Sequence, residues 1–299
     1  MDKYSERSTV ARTPFLKTFF GKNRDGKYRP TIRFYRFFVI ILMHLLFILS
    51  YRIDLQILEG SISASRLFGL HLADAFITIE AIVASHQIPT NLIIGSLTIL
   101  MFYTLFGGRA FCSWVCPYNL LGEIGERINA LLIRRRIIKK REFNPKFRYF
   151  FLAVFIAATF ISGYLIFEMF NVVGIFSRFL IYGYSVAFSF VIIVLMIEIF
   201  FSRRAWCRYI CPLGTTYELI CGHTNAIKIS WDKESCDHCN VCIDACIVPH
   251  VLRVTKDKHK DDENGQFLVT GADCTLCGRC IDVCHHDSLK FENRLKKLL

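Results

Sequence analysis

The longest apolar segments of this chain are poor in charge. Four runs, residues 34–51, 91–106, 149–167 and 179–201, hold few ionisable side chains, His44 and Glu198 among them. Each approaches the ~20 residues a helix needs to cross a bilayer core. Four such stretches rarely occur together in a soluble core, so four transmembrane helices are expected. Histidine is as scarce: His44 is the only one in these runs, which excludes a ladder of bis-histidine haems through them. No cleavable leader is expected, because a polar, basic segment of about 30 residues precedes the first run. There is no twin-arginine signal either, and residues 1–32 are too few for a large folded domain ahead of the first span.

Acidic residues are outnumbered, 25 to 37, giving a net charge of +12. The excess is unevenly placed. Residues 1–36 and the loop 107–148 carry ten basic side chains each, whereas the loop 53–90 holds only Arg66 and the turn 168–178 only Arg178. Basic loops stay in the cytoplasm, so both termini are expected there, in a multi-pass membrane protein. The basic run around Arg134–Arg136 and Lys139–Arg141 then reads as a lipid-headgroup anchor, and no nucleic-acid partner is needed. A fifth apolar stretch, residues 67–85, is interrupted by His71, Asp74 and Glu80. It is expected as an amphipathic helix lying on the outer surface.

Cysteine is abundant, 13 residues, and eight of them form two runs. Cys236, Cys239, Cys242 and Cys246 are spaced C-x2-C-x2-C-x3-C, and Cys274, Cys277, Cys280 and Cys284 repeat that spacing. This spacing holds [4Fe–4S] cubanes in bacterial two-cluster ferredoxins, where the fourth cysteine of each run ligates the other cluster. Cys236, Cys239, Cys242 and Cys284 are therefore assigned to one cubane, and Cys274, Cys277, Cys280 and Cys246 to the second. Zinc sites more often use two separated pairs, and disulfide frameworks belong to oxidising compartments. The runs lack the usual proline after their last cysteine: Ile247 and His285 stand there. His238, His285 and His286 neighbour the cluster cysteines and are not needed as ligands. The polar stretch between the runs, ending in Asn264-Gly265, is expected as an extended connection with a hairpin turn.

An internal repeat precedes this domain. Residues 109–117 read RAFCSWVCP and residues 204–212 read RAWCRYICP. Cys112 and Cys116 are four apart and share a helix face, as do Cys207 and Cys211; the following proline is expected to end or kink each helix. The membrane part is thus read as a duplicated helical hairpin whose four thiols converge if an axis along the membrane normal relates the halves. They would hold a third cluster or another thiolate-bound metal, or act as redox thiols or a transient copper site. Cys221 reads as a small buried hydrophobe.

The expected organisation is a basic segment over 1–32, a four-helix membrane domain over 33–222, and a small α+β two-cluster ferredoxin domain over 223–299. Together these features resemble the NapH/MauN family of membrane ferredoxin-type proteins. The likeness extends to Ser85-His86 with Pro89, to GRAFCSWVCP at 108–117, to Glu168, Asn171 and Arg178, and to Pro249-His250-Val251-Leu252. The resemblance implies a quinol dehydrogenase component. It would pass electrons from (mena)quinol towards a periplasmic iron–sulfur partner of the NapG kind and a multihaem cytochrome or reductase, such as nitrate reductase. The alternative is a metal-reducing or maturation factor for a respiratory or copper enzyme. Quinol oxidation needs a proton acceptor; the candidates are His86 and Glu168 first, then Glu80, His71, Asp74 and Arg178. A quinol site on the outer face would leave its electrons ~30 Å of hydrocarbon to cross, so either quinol binds near the inner end, beside the C-x3-C-P cysteines, or a partner supplies the electron path.

Overall fold

The computed structural model describes residues 19–22, 28–53, 58–67, 70–255, 266–269 and 271–294. Most of the basic N-terminal segment and the Asn264-Gly265 turn lie outside them. A short hairpin, β1 (Phe20–Lys22) and β2 (Tyr28–Pro30), leads into α1 (Ile32–Ile53). This 22-residue helix is the one helix, among the described residues, long and apolar enough to cross a membrane.

The other expected spans are shorter than the runs that suggested them. The run 91–106 forms α3 (Thr90–Phe106), after α2 (Ala75–Ser85). The run 149–167 stops early. Here α6 (Phe147–Ser162) closes at Gly163, whose φ of 70° favours glycine and whose N–H bonds to Thr159 O at 2.8 Å; the chain restarts as α7 (Ile166–Phe170). The run 179–201 is cut by Gly183, at φ 95°, into the end of α8 (Val172–Tyr182) and α9 (Phe188–Phe200). At 1.5 Å per residue the 13 residues of α9 cover about 20 Å. Even so, α1, α3, α6 and α9 all present large apolar side chains outward, among them Ile41, Leu97, Met101, Phe150, Ile193 and Met196.

The stretch 67–85 departs most from expectation. It begins in an antiparallel sheet, β3 (Leu58–Gly60), β4 (Ala64–Leu67) and β5 (Leu70–Ala73), then turns at Asp74 into α2. It does not lie on a surface. Phe76, Ile77, Thr78 and Glu80 are buried, and α2 packs on α3, α6 and α10 (Pro212–Cys221). The charges that made the stretch look interfacial have internal partners. Asp74 accepts from the Phe76 N–H at 2.9 Å as an N-cap. Glu80 accepts from Thr159 Oγ1 at 2.8 Å and the Phe167 N–H at 2.6 Å. Strand β5 lies directly on α3 because residue 95 is glycine: a Cβ there would stand 1.9 Å from His71 O.

The two repeated motifs break the helices in parallel ways. After α3 come α4 (Ala110–Trp114) and α5 (Tyr118–Arg134); after α9 come a π-helical turn (Trp206–Ile210) and α10. In both, the second cysteine donates its N–H five residues back, Cys116 to Phe111 O at 3.0 Å and Cys211 to Trp206 O at 2.9 Å. Such wide turns are frequent at functional sites. The proline was expected to end or kink a helix, and the preceding turns do stop at Trp114 and Ile210; Pro117 then caps α5 and Pro212 opens α10, where a missing N–H costs nothing.

The C-terminal part is α+β. Strand β6 (Ile227–Asp232) is central, antiparallel to β7 (Gln266–Leu268) and β8 (Leu289–Asn293). Trp231, Val269 and Leu289 are buried beneath the loops that carry α11 (Val241–Ala245) and α12 (Arg279–Asp282).

Candidate functional site

The two cysteine runs wind alike. In the first, His238 and Asn240, either side of Cys239, have φ of 53° and 62°; in the second, Leu276 and Gly278, either side of Cys277, have φ of 49° and 69°. A left-handed leucine is sterically disfavoured, and such strain is kept where a loop must curl its N–H groups around a bound group. Cys236, Cys239, Cys242 and Cys284 line one hollow. Cys280 lies within electrostatic reach of Cys277, Cys246 and Cys274, all fully or largely buried. The Val248 N–H donates to Cys246 Sγ at 3.4 Å. Among the described residues no three ligating side chains converge as they would on a single ion. A cubane instead holds its cysteines on separate irons at separate corners, which suits two wider sets of four thiols. Burial pushes Cys242 up to about 11 and Cys274 up to about 12, so iron binding must displace their protons.

The C-x3-C-P thiols also come together. Cys116 lies within electrostatic reach of Cys112 and Cys211, and Cys207 of Cys116 and Cys211. Each repeat arginine crosses into the other repeat. Arg109 donates to Cys207 O at 3.2 Å and lies over Gly214; Arg204 donates to Asn119 O at 3.4 Å and lies over Gly122. A Cβ at residue 122 would meet Arg204 Nη1 at 2.4 Å, so glycine makes room for the guanidinium. Cys221 is fully buried and accepts from Thr104 Oγ1 at 3.4 Å, apart from these thiols.

Charge locks the ferredoxin part onto the helices, a feature invisible in the spacing. The Asp282 carboxylate accepts the Ile32 and Arg33 N–H groups at 3.1 and 3.2 Å, capping α1 from another domain. Glu123 pairs with Arg33 at 2.7 Å and Arg36 at 2.9 Å; Glu126 pairs with Arg279 at 2.8 Å and Arg204 at 3.4 Å. Asp273 pairs with Arg109, Arg148 and His250. Burial alone would raise all three carboxyls, but the guanidiniums win: Glu123 and Asp273 fall far below the carboxylate range and Glu126 is held at about 2. Three neighbouring carbonyls of the second run reach the helices. Ser113 Oγ donates to Thr275 O, Trp114 Nε1 to Leu276 O at 3.0 Å, and Arg36 to Cys277 O at 3.1 Å. The second cysteine run therefore sits on α4, the helix that carries Cys112.

The outer candidates do not form one site. His86 is exposed, a left-handed C-cap of α2 stacked edge-on against Phe160. Glu168 pairs with Arg178 at 2.9 Å and accepts from Asn171 at 3.0 Å beside a cavity of about 780 Å³ that His86 does not line. His71 lies exposed on β5 opposite Arg66.

Residues 89–141 and 182–228 match the family of 4Fe–4S binding domains, and residues 235–288 that of 4Fe–4S dicluster domains. The chain is 32% identical over 240 residues to the ferredoxin-type protein NapH of Haemophilus influenzae, covering 80% of this chain and 81% of that one. It is 31% identical to the methylamine utilization ferredoxin-type protein MauN of Paracoccus denitrificans, over 66% of this chain and 69% of that one. The putative electron transport protein YccM of Escherichia coli is 28% identical over 59% of this chain and 48% of its own length. No solved structure matches. Identity on this scale, over most of both chains, places the chain in the NapH/MauN family of ferredoxin-type iron–sulfur electron-transfer proteins.

Proposed function

We propose that this protein is a multi-pass inner-membrane component of a quinol dehydrogenase. In this reading it takes electrons from (mena)quinol and passes them towards a periplasmic iron–sulfur partner of the NapG kind and a reductase such as nitrate reductase. The carrying observation is the direct seat of the second cysteine run on the helices, Thr275 and Leu276 on α4 and Cys277 on Arg36 of α1.

Two cubanes are proposed, one on Cys236, Cys239, Cys242 and Cys284, the other on Cys274, Cys277, Cys280 and Cys246, with a third centre on Cys112, Cys116, Cys207 and Cys211. When bound, such clusters supply one-electron acceptor sites. The chain's own part is to bury the thiols, curl the loops and fix the two domains in one orientation. The outward apolar faces of α1, α3, α6 and α9 support four lipid-facing elements, since a soluble protein rarely exposes contiguous apolar surface on this scale. With N- and C-termini inside, the shorter helices would be completed by flanking residues or by local thinning of the bilayer.

The test is anaerobic purification in detergent, iron and sulfide analysis, and addition of a menaquinol analogue while absorbance and EPR are followed. Reduction of intact clusters by the quinol supports the reading. Intact clusters that quinol leaves oxidised, in the presence of the periplasmic partner, would favour the maturation-factor alternative.

A further inference from the structure

A second cavity, of about 910 Å³, lies between α1 and α3 on the side facing the ferredoxin part. That is within the range of ligand pockets, which are mostly apolar with a few placed polar groups. Helix α1 rests on α8 and α4, and α3 on β5, α2 and α10, so the two helices flank the space between them. Met43, Phe47, Ile99 and Phe102 form its apolar walls, and Leu72 of the inserted sheet adds another. Phe102 and Phe106 are about half exposed, 52% and 53%, so the cavity opens through the apolar outer face of α3. Its polar groups include Asp74, Tyr103 and Tyr217, all buried. Trp114 and Leu276 line it as well, and they are themselves joined by the hydrogen bond from Trp114 to the second cysteine run.

We infer that this cavity is the quinol site, with the Asp74 carboxylate accepting the hydrogen bond of a quinol hydroxyl and the isoprenoid tail leaving between α1 and α3. The inference rests on the quinol-linked reading above and gives it a place. Four observations carry it. A lipophilic ring needs an apolar slot with a lateral entrance, and the faces of α1 and α3 provide one. A quinol hydroxyl needs a buried acceptor: Asp74 is 3% exposed and only one of its oxygens serves the Phe76 N–H. Tyr217, itself buried, lines the same cavity as Asp74. Finally, the lining Leu276 lies between Cys274 and Cys277, and Phe111 beside Cys112, so electrons leaving the ring have no bilayer to cross before they reach those cysteines.

The carboxyl environment agrees: burial pushes Asp74 up to about 7, against the hydrogen bonds it accepts. Oxidation of one quinol releases two electrons and two protons; iron–sulfur clusters held by the cysteine runs would be the one-electron acceptors. One proton passes from the hydroxyl to Asp74, and the second leaves from the other hydroxyl to water. The inserted sheet is what makes this arrangement possible, because it carries Asp74 from a loop into the helical core.

The experiment is binding of 2-heptyl-4-hydroxyquinoline N-oxide, a quinol-site probe whose fluorescence falls on binding, to the purified full chain in detergent. Iron content serves as the check on folding. The wild type should bind with saturation. Ile99→Trp, which fills the cavity, should abolish binding. Asp74→Asn, which keeps the N-cap acceptor, should weaken it by about 10-fold or more, as for loss of a charged hydrogen-bond acceptor. Unchanged binding in both variants, with loss in Glu168→Gln or His86→Ala, would overturn the inner site and leave quinol-linked function standing at the outer face. Absence of saturable binding to an iron-replete wild type would overturn both. Displacement of the probe by phospholipid as readily as by menaquinone would assign the cavity to a structural lipid and overturn the site alone.

Discussion

Glu126→Gln tests the joint between the two domains. Glu126 is 1% exposed and faces Arg279 at 2.8 Å, Arg204 at 3.4 Å and Arg203 at 3.5 Å. Replacing it by an uncharged isostere leaves those guanidiniums without their shared counter-ion. Breaking a buried pair this way costs about 3–5 kcal/mol. The depressed acidity of the Glu126 carboxyl points to a similar size. The drop from the ordinary 4.5 to about 2 corresponds, at 1.36 kcal/mol for each pH unit, to about 3 kcal/mol. Thermal denaturation in detergent should then show a midpoint lower by roughly 6–12 °C, at 2–4 °C per kcal/mol for a domain of this size. The control is Glu142→Gln. Its partner Lys140 lies 3.1 Å away, but both are nearly half exposed, 46% and 45%, so the pair is worth about 0–1 kcal/mol. Because Glu126 is held below its ordinary value, its contribution is complete above about 4.5, declines below that, and is lost as pH falls through about 2. The difference between wild type and variant should therefore be flat from pH 5 to pH 8. A midpoint shift no larger than that of Glu142→Gln, or one that vanishes near neutral pH, would refute the buried-network account of docking.

The remaining predictions concern metal, topology and the inserted sheet. Replacing Cys112 and Cys207 by serine should remove four of every twelve irons, about a third for a three-cubane protein, whereas Cys221→Ala should leave iron content unchanged; equal iron in all three proteins would sink the third centre. A reporter fused after Leu299 should give a cytoplasmic signal, and a periplasmic one would overturn the orientation inferred from the basic loops. Gly95→Val puts a side chain where a Cβ already stands 1.9 Å from His71 O. It should destabilise by about 3 kcal/mol or more and impair binding of the quinolone probe, and a neutral result would mean that β5 does not lie on α3.

Much of the chemistry was legible because it is local. Cluster-binding spacing is a property of a few consecutive residues, and so is the doubled RA-aromatic-C-x3-C-P motif; neither needs knowledge of what lies across the fold. Hydropathy marked the helices but overestimated some of their lengths, because Gly163 and Gly183 end helices inside continuous apolar runs. Composition misplaced residues 67–85. Asp74 and Glu80 read as charges facing water, and their capping and hydrogen-bond partners, Thr159 and Phe167 among them, come from distant or downstream segments that hydropathy does not connect.

Sequence by itself therefore determined the cysteine spacing, the doubled motif and the charge asymmetry, since each depends on residue type and spacing alone. Only the tertiary structure decided that Asp282 caps α1, that Glu123, Glu126 and Asp273 join the two parts, and that Asp74 and Tyr217 line an apolar cavity beside the second cysteine run. The physical reason is the same in each case. A buried charge is tolerable only beside a partner, and here the partner is supplied from far along the chain by packing that spacing does not encode.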